Sequence, residues 1–126
     1  MARTGTTSLC EALRLLGYER VAHNPPFERL VELDGGADNG VLLFYKYLDY
    51  KFPGSKFILT VRALEPWLES MEWICERCPV VTRANDLAIM RRMSIYESVT
   101  FDREKFTAAC HRHHADVRRF FANRPG

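Results

Sequence analysis

The chain has 126 residues, 47% of them hydrophobic and 27% charged, which is ordinary usage for one globular domain. This excludes a disordered tail, a collagen-like fibre and a charged low-complexity segment, and no apolar run approaches the roughly 18–20 residues that span a bilayer. Eighteen basic against sixteen acidic side chains give a net charge of +2, shared evenly by the two halves of the chain, so bulk charge points to no nucleic-acid partner. Met1-Ala2-Arg3-Thr4-Gly5 lacks the apolar stretch of a signal peptide. The expectation is a single cytoplasmic domain over residues 1–126 with no membrane partner.

In chain order, Thr7 to Leu16 carries Leu9, Leu13 and Leu16 at helical spacing, and Gly17 follows as a terminator. Tyr18 to His23 reads as a short strand, Phe27 to Leu33 as a helical turn after Pro25-Pro26, and Asp34-Gly35-Gly36 as a break. Val41 to Lys51 is helical, with Leu43, Tyr47 and Tyr50 on one side and Leu48 close by, and Phe52-Pro53-Gly54-Ser55 turns the chain. Lys56 to Arg62 is the best strand of the sequence, since Phe57, Ile58, Leu59 and Val61 suit a strand covered on both faces.

Pro66 suits a first helical turn, so Trp67 to Cys78 reads as a helix with Glu65, Glu69 and Glu72 toward its positive end. Asn85 to Tyr96 places Leu87, Met90 and Met93 on one side, read as a core stripe. Asp102 caps a last helix through Phe106, Ala109, His113, Val117 and Phe120, and Asn123-Arg124-Pro125-Gly126 ends the pattern. Alternating helices and strands predict an α/β unit with a parallel sheet.

The four cysteines do not have the placement of a small secreted scaffold. Cys75-Glu76-Arg77-Cys78 closes a helix, whereas a redox pair opens one. As a zinc half-site it needs Cys110, His111, His113 or His114, and these lack ordinary finger spacing. Plain reduced cysteines, with no metal, are the reading adopted. The arginines between His111 and Arg124 read as a solvated helix face, with a phosphate-facing patch as the alternative.

Arg3-Thr4-Gly5-Thr6-Thr7-Ser8 runs directly into the first helix. A small-residue loop there offers backbone N–H groups and the positive end of the helix dipole, which suits a phosphate. Gly5 removes bulk where an anion approaches, Thr6, Thr7 and Ser8 add hydroxyl donors, and Arg3 can grip an anionic oxygen bidentately. The alternative is simply a capped helix. The Gly-Lys-Ser/Thr ending of a nucleoside triphosphatase loop is absent. Ligands of open α/β sheets lie beyond the carboxyl ends of strands, so Arg62 is placed to face one, and Ser70 lies in the helix that follows.

With these residues the chain resembles the P-loop sulfotransferases. The matching stretches are residues 3–9 with Ala12-Leu13, Leu16-Gly17-Tyr18, then Phe52-Pro53-Gly54-Ser55-Lys56-Phe57-Ile58-Leu59-Thr60-Val61-Arg62, then Trp67-Leu68-Glu69-Ser70. The resemblance extends to the closing residues 116–126. It implies a three-layer α/β fold with a parallel sheet and transfer of a sulfuryl group from 3′-phosphoadenosine 5′-phosphosulfate to a small-molecule acceptor hydroxyl or amine. Arg3, Thr4, Gly5, Thr6, Thr7 and Ser8 look like the 5′-phosphosulfate loop, with Arg3 on the leaving side, and Arg62 and Ser70 look like the 3′-phosphate element.

For the catalytic base the candidates are Asp38, which resembles the family's acidic position and alternatively caps a helix, and His23, at the end of the predicted Tyr18–His23 strand, alternatively a polar loop residue. The resemblance also implies a buried strand before the loop, where this sequence has Met1-Ala2, and another core strand after Pro125-Gly126. The expectation is an incomplete sheet. A fragment of such a domain is therefore expected, and the alternative to an enzyme is a non-catalytic fragment acting as a nucleotide-binding or protein-interaction module, through exposed sheet edges that could self-associate or through the basic C-terminal helix.

Overall fold

The computed structural model describes residues 1–79 and 86–124. It falls into two compact units, Met1–Val61 and Arg62–Gly126. Asn85 and Pro125-Gly126, which figure in the sequence reading, lie outside the described residues.

The first unit is built on a two-stranded parallel sheet. β1 (Val21–His23) pairs with β2 (Gly35–Ala37) in the register Val21↔Gly35, Ala22↔Gly36 and His23↔Ala37. The amide of Asn24 extends the pairing by donating to Ala37 O at 2.9 Å. The Asp34-Gly35-Gly36 break is therefore corrected: two of its residues belong to a strand. Glycine hides such a strand from hydrophobic patterning, yet it is what admits the covering side chains. A Cβ on Gly35 would sit 3.1 Å from Leu13 Cδ1. Arg20 and Asp34 hold the strand entries together, with the Asp34 carboxylate accepting from the Arg20 amide at 2.9 Å and from its guanidinium at 2.7 Å. The guanidinium bond keeps the Asp34 carboxyl below the usual carboxylate range.

α1 (Thr6–Leu15) covers this sheet, and Cys10, Val21 and Ala37 form its core with Leu9 and Leu13 against them. Its end follows from Gly17. With φ at +92°, Gly17 donates to Arg14 O and Tyr18 donates to Leu13 O, the paired bonds of a Schellman termination. The helix thus stops short of Leu16, which is 76% exposed and does not join the stripe predicted for it.

α2 (Phe27–Leu30) and α3 (Asn39–Lys51) complete the unit, joined by Phe27 with ring centroids 4.6 Å from Phe44 and 5.5 Å from Tyr47. The buried face of α3 is Gly40, Tyr45 and Leu48, not the predicted line through Tyr50, which is exposed. Gly40 permits the close approach here: a Cβ would lie 2.5 Å from Pro25 O.

Lys56 to Arg62 is the second correction, for no strand forms there. Phe57 and Leu59 are half-buried while Ile58 and Val61 are exposed. An apolar run becomes a strand only when a neighbour supplies a ladder, and the sheet among the described residues has two strands elsewhere. Thr60 instead shares a 2.7 Å hydroxyl–hydroxyl hydrogen bond with Thr4.

The second unit packs α4 (Leu64–Arg77), α5 (Asp86–Tyr96) and α6 (Arg103–Phe121). Its core is aromatic. Tyr96 stacks on Phe106 with centroids 4.2 Å apart, and Trp67 stands 6.4 Å from each. These rings fix which side of α5 turns inward: Arg91, Ile95 and Tyr96 are buried, whereas Leu87, Met90 and Met93, expected in the core, are exposed. α6 begins as predicted, with Asp102 Oδ1 accepting from the Lys105 amide at 3.0 Å. Trp67 is accordingly a packing residue of this core.

None of the four cysteines is in a disulfide, and burial raises the thiols of Cys10, Cys75 and Cys110 above their ordinary range. Among the described residues no three His, Cys, Asp or Glu side chains are grouped to hold a metal ion, and no helix is long and apolar enough to cross a membrane.

Two outcomes are expected from this packing. Gly40→Ala should destabilise the protein by roughly 1–3 kcal/mol, because the clash is with backbone and not with a side chain that can swing away; thermal unfolding reads this as a lower Tm. Burial lowers the pKa of His113 from 6.5 to about 4, so the folded state binds this proton more weakly than the unfolded chain. Its contribution is whole above pH 6.5, declines as the pH falls, and is gone below about 4. Urea unfolding at pH 7 and pH 4.5 should show a smaller acid penalty in His113→Leu than in the wild type.

Candidate functional site

The carboxyl ends of two parallel strands and the start of a helix meet in the first unit. β1 ends in His23, β2 is followed by Asp38, and α1 opens with Thr6. Parallel pairing makes both strands run the same way, so the residues at and just after their ends share one edge. His23 Nε2 lies 3.0 Å from Thr6 Oγ1 and 3.1 Å from Asp38 Oδ2. The Asp38 side chain is 8% exposed and that of His23 is 41% exposed, so a desolvated carboxylate sits behind an accessible imidazole.

Asp38 occupies the position before α3, as a capping residue does, but its side chain makes no cap hydrogen bond. Its backbone has φ 80° and ψ −157°, a region where glycine is at home and other residues cost on the order of 1–3 kcal/mol. Asp38 thus stands at the N-cap position of α3 without a side-chain cap bond, and His23 is a strand-end residue with two polar partners.

Residues 3–8 lead into this corner. Arg3 is exposed with φ 64°, and Thr4 donates to Met1 O at 2.7 Å besides its bond to Thr60. Gly5, with φ 86°, stands at the N-cap of α1 and brings no side chain, so the first-turn N–H groups of Thr6, Thr7 and Ser8 receive no side-chain cap. A Cβ at Gly5 would meet nothing within 4 Å. An uncapped helix start beside open space, with an exposed guanidinium close in sequence, fits an anionic group. Thr6 is buried, whereas Thr7 and Ser8 are exposed. The amide of Ala2 adds a tie to α3 by donating to Asn39 Oδ1 at 3.3 Å.

Arg62 and Ser70 belong to the second unit. Arg62 is exposed two residues before α4, not at the end of a laddered strand as predicted, and Ser70 is half-buried at the end of the second turn of α4. On α6, Arg112 bonds Ile95 O at 3.2 Å and pairs with Glu97 at 3.1 Å, while the Arg124 guanidinium lies 5.4 Å from the Phe121 ring centroid. Arg118 and Arg119 are exposed.

Sequence reasoning treated His23 and Asp38 as rival candidates and missed that they touch. It also missed the Thr6–His23 bond. The available signal was the end of β1, but its counterpart at Asp38 was concealed by the glycine-rich β2.

A helix start at the carboxyl edge of a parallel sheet is a geometry that suits an anion. The chain belongs to the sulfotransferase domain family, which matches it over residues 28–125. No curated protein and no solved structure matches the chain. Asp38, Arg62 and Ser70 fall within the matched range, while the loop at residues 3–8 and His23 precede it.

Thr6→Val keeps the side-chain shape and removes the hydroxyl beside His23. The expected loss is about 1 kcal/mol of stability, read in denaturant unfolding as a lower midpoint with unchanged slope.

Proposed function

We propose that the protein is a sulfotransferase that takes the sulfuryl group of 3′-phosphoadenosine 5′-phosphosulfate and delivers it to a hydroxyl or amine of a small-molecule acceptor, on a partial form of the three-layer P-loop fold. The observation that carries this reading is the uncapped, glycine-led start of α1 beside an accessible histidine, in a chain of the sulfotransferase domain family.

In this reading the N–H groups of Thr6, Thr7 and Ser8 bind the 5′-phosphosulfate, with Gly5 giving it room and Thr4 bracing the loop against Thr60. The bound donor supplies the sulfuryl group and a phosphate leaving group. Arg3 and the helix start stabilise the negative charge that grows on the leaving side, as preorganised donors do best. Arg62 and Ser70 hold the 3′-phosphate and contribute binding energy away from the reacting atoms. The His23–Asp38 pair withdraws the proton of the acceptor group. No step in this scheme draws on Cys75 or Cys78.

The test is binding of adenosine 3′,5′-bisphosphate, followed by calorimetry. Micromolar affinity is expected, weakened roughly 10- to 100-fold in Arg62→Ala, the loss that one charge-assisted phosphate contact implies. Absence of binding at millimolar bisphosphate would overturn the reading. Binding without sulfuryl transfer to any acceptor in a hydroxyl and amine library would instead favour a nucleotide-binding module, a reading suited to a sheet of two strands among the described residues.

A further inference from the structure

The pair just described contains two groups able to take a proton, and its geometry assigns them different tasks. We propose that Asp38 is a positioning residue for His23: its carboxylate accepts the Nε2–H, fixes the neutral imidazole in that one tautomer, and leaves Nδ1 as the ring's proton acceptor. The assignment of the acceptor proton to Nδ1 rests on the sulfuryl-transfer reading; the tautomer does not.

An ionised carboxylate only accepts hydrogen bonds. With Asp38 Oδ2 at 3.1 Å from Nε2, an unprotonated Nε2 would set two lone pairs against each other, so the ring proton lies on this nitrogen. Thr6 Oγ1, 3.0 Å from the same nitrogen, then shares that N–H as an acceptor, which frees its own hydroxyl proton to be donated elsewhere. The pair therefore ties the ring to the first turn of α1. The Asp38 side chain is 8% exposed, so little water competes for the Oδ2 that faces the ring.

The backbone supports the same division of labour. A residue with φ 80° and ψ −157° is held against its own preference, and glycine would satisfy the chain better. Asp38 stands there although it does not cap α3, so its carboxylate is what the position retains. A proton acceptor working directly on a substrate needs access, and the exposed member of the pair is His23. In the transfer itself, Nδ1 takes the acceptor's proton as the acceptor oxygen or nitrogen bonds to sulfur; the electron pair of the broken sulfur–oxygen bond departs on the 5′-phosphate.

The experiment is long-range proton–nitrogen correlation NMR of the His23 ring in the 126-residue chain, at a pH where the ring is neutral. The wild type should show the Nε2–H tautomer in roughly tenfold excess, the ratio a charge-assisted bond maintains. Asp38→Asn and Asp38→Gly should each reduce that excess severalfold. The glycine variant should keep or raise the wild-type Tm, since it releases the backbone, which separates lost positioning from lost folding. A dominant Nδ1–H form in the wild type, or a ratio that neither variant changes, would overturn the proposal. In sulfuryl-transfer assays Asp38→Asn should lower kcat with bisphosphate affinity within about twofold of wild type. Failure of the bisphosphate to bind would overturn the donor reading alone, and the tautomer ratio would still decide the role of Asp38.

Discussion

Everything at the candidate site depends on the parallel pairing of β1 with β2. Were the strands antiparallel, His23 and Asp38 would leave the sheet at opposite edges. Parallel, and in the register His23↔Ala37, they leave it together, and α1, packed across the same sheet through Cys10, Leu9 and Leu13, sets Thr6 against both. Three residues separated by 17 and 15 positions in the chain thus meet within hydrogen-bond distance because of a sheet with three residues in each strand.

So short a sheet is held less by its ladder than by what surrounds it. Arg20 and Asp34 clamp the strand entries, Asn24 lengthens the pairing past His23, and Arg14 donates to Val21 O at 2.8 Å from the covering helix. Gly35 lets Leu13 close on the sheet, and Gly40 lets α3 start against the backbone of Pro25. Small residues here do the work of close packing, and the polar site inherits its rigidity from them. The strained backbone of Asp38 is tolerated in this setting because its neighbours on both sides, β2 and α3, are anchored.

The second unit follows a different physical plan. Its three helices close on the Trp67, Tyr96 and Phe106 rings, and burial in that unit extends to His113, whose proton affinity it depresses. The family match runs from residue 28 through this unit, so it spans α3, the Lys56–Arg62 segment and all three of these helices. Ser70 lies within α4, while Arg62 precedes its N-cap residue Ala63 and is in neither helix nor strand.

Much of the local structure was legible in the sequence alone. Gly17 as a terminator, Asp102 as a cap, the spacing of α1, α4 and α6 and the loop running into α1 all act over a few residues, and local chemistry determines them. Partner choice was not legible. Gly35-Gly36 became a strand, and Lys56–Arg62 did not, because a strand exists only by pairing with another segment. Leu87, Met90 and Met93 made as good a stripe as Ile95 and Tyr96, and the stacking of Tyr96 on Phe106 decided which turned inward. His23 and Asp38 could each be named as proton acceptors from residue type. That they form one unit with Thr6 follows from register, which only the tertiary structure decides, since it is set by contacts between residues far apart in the chain.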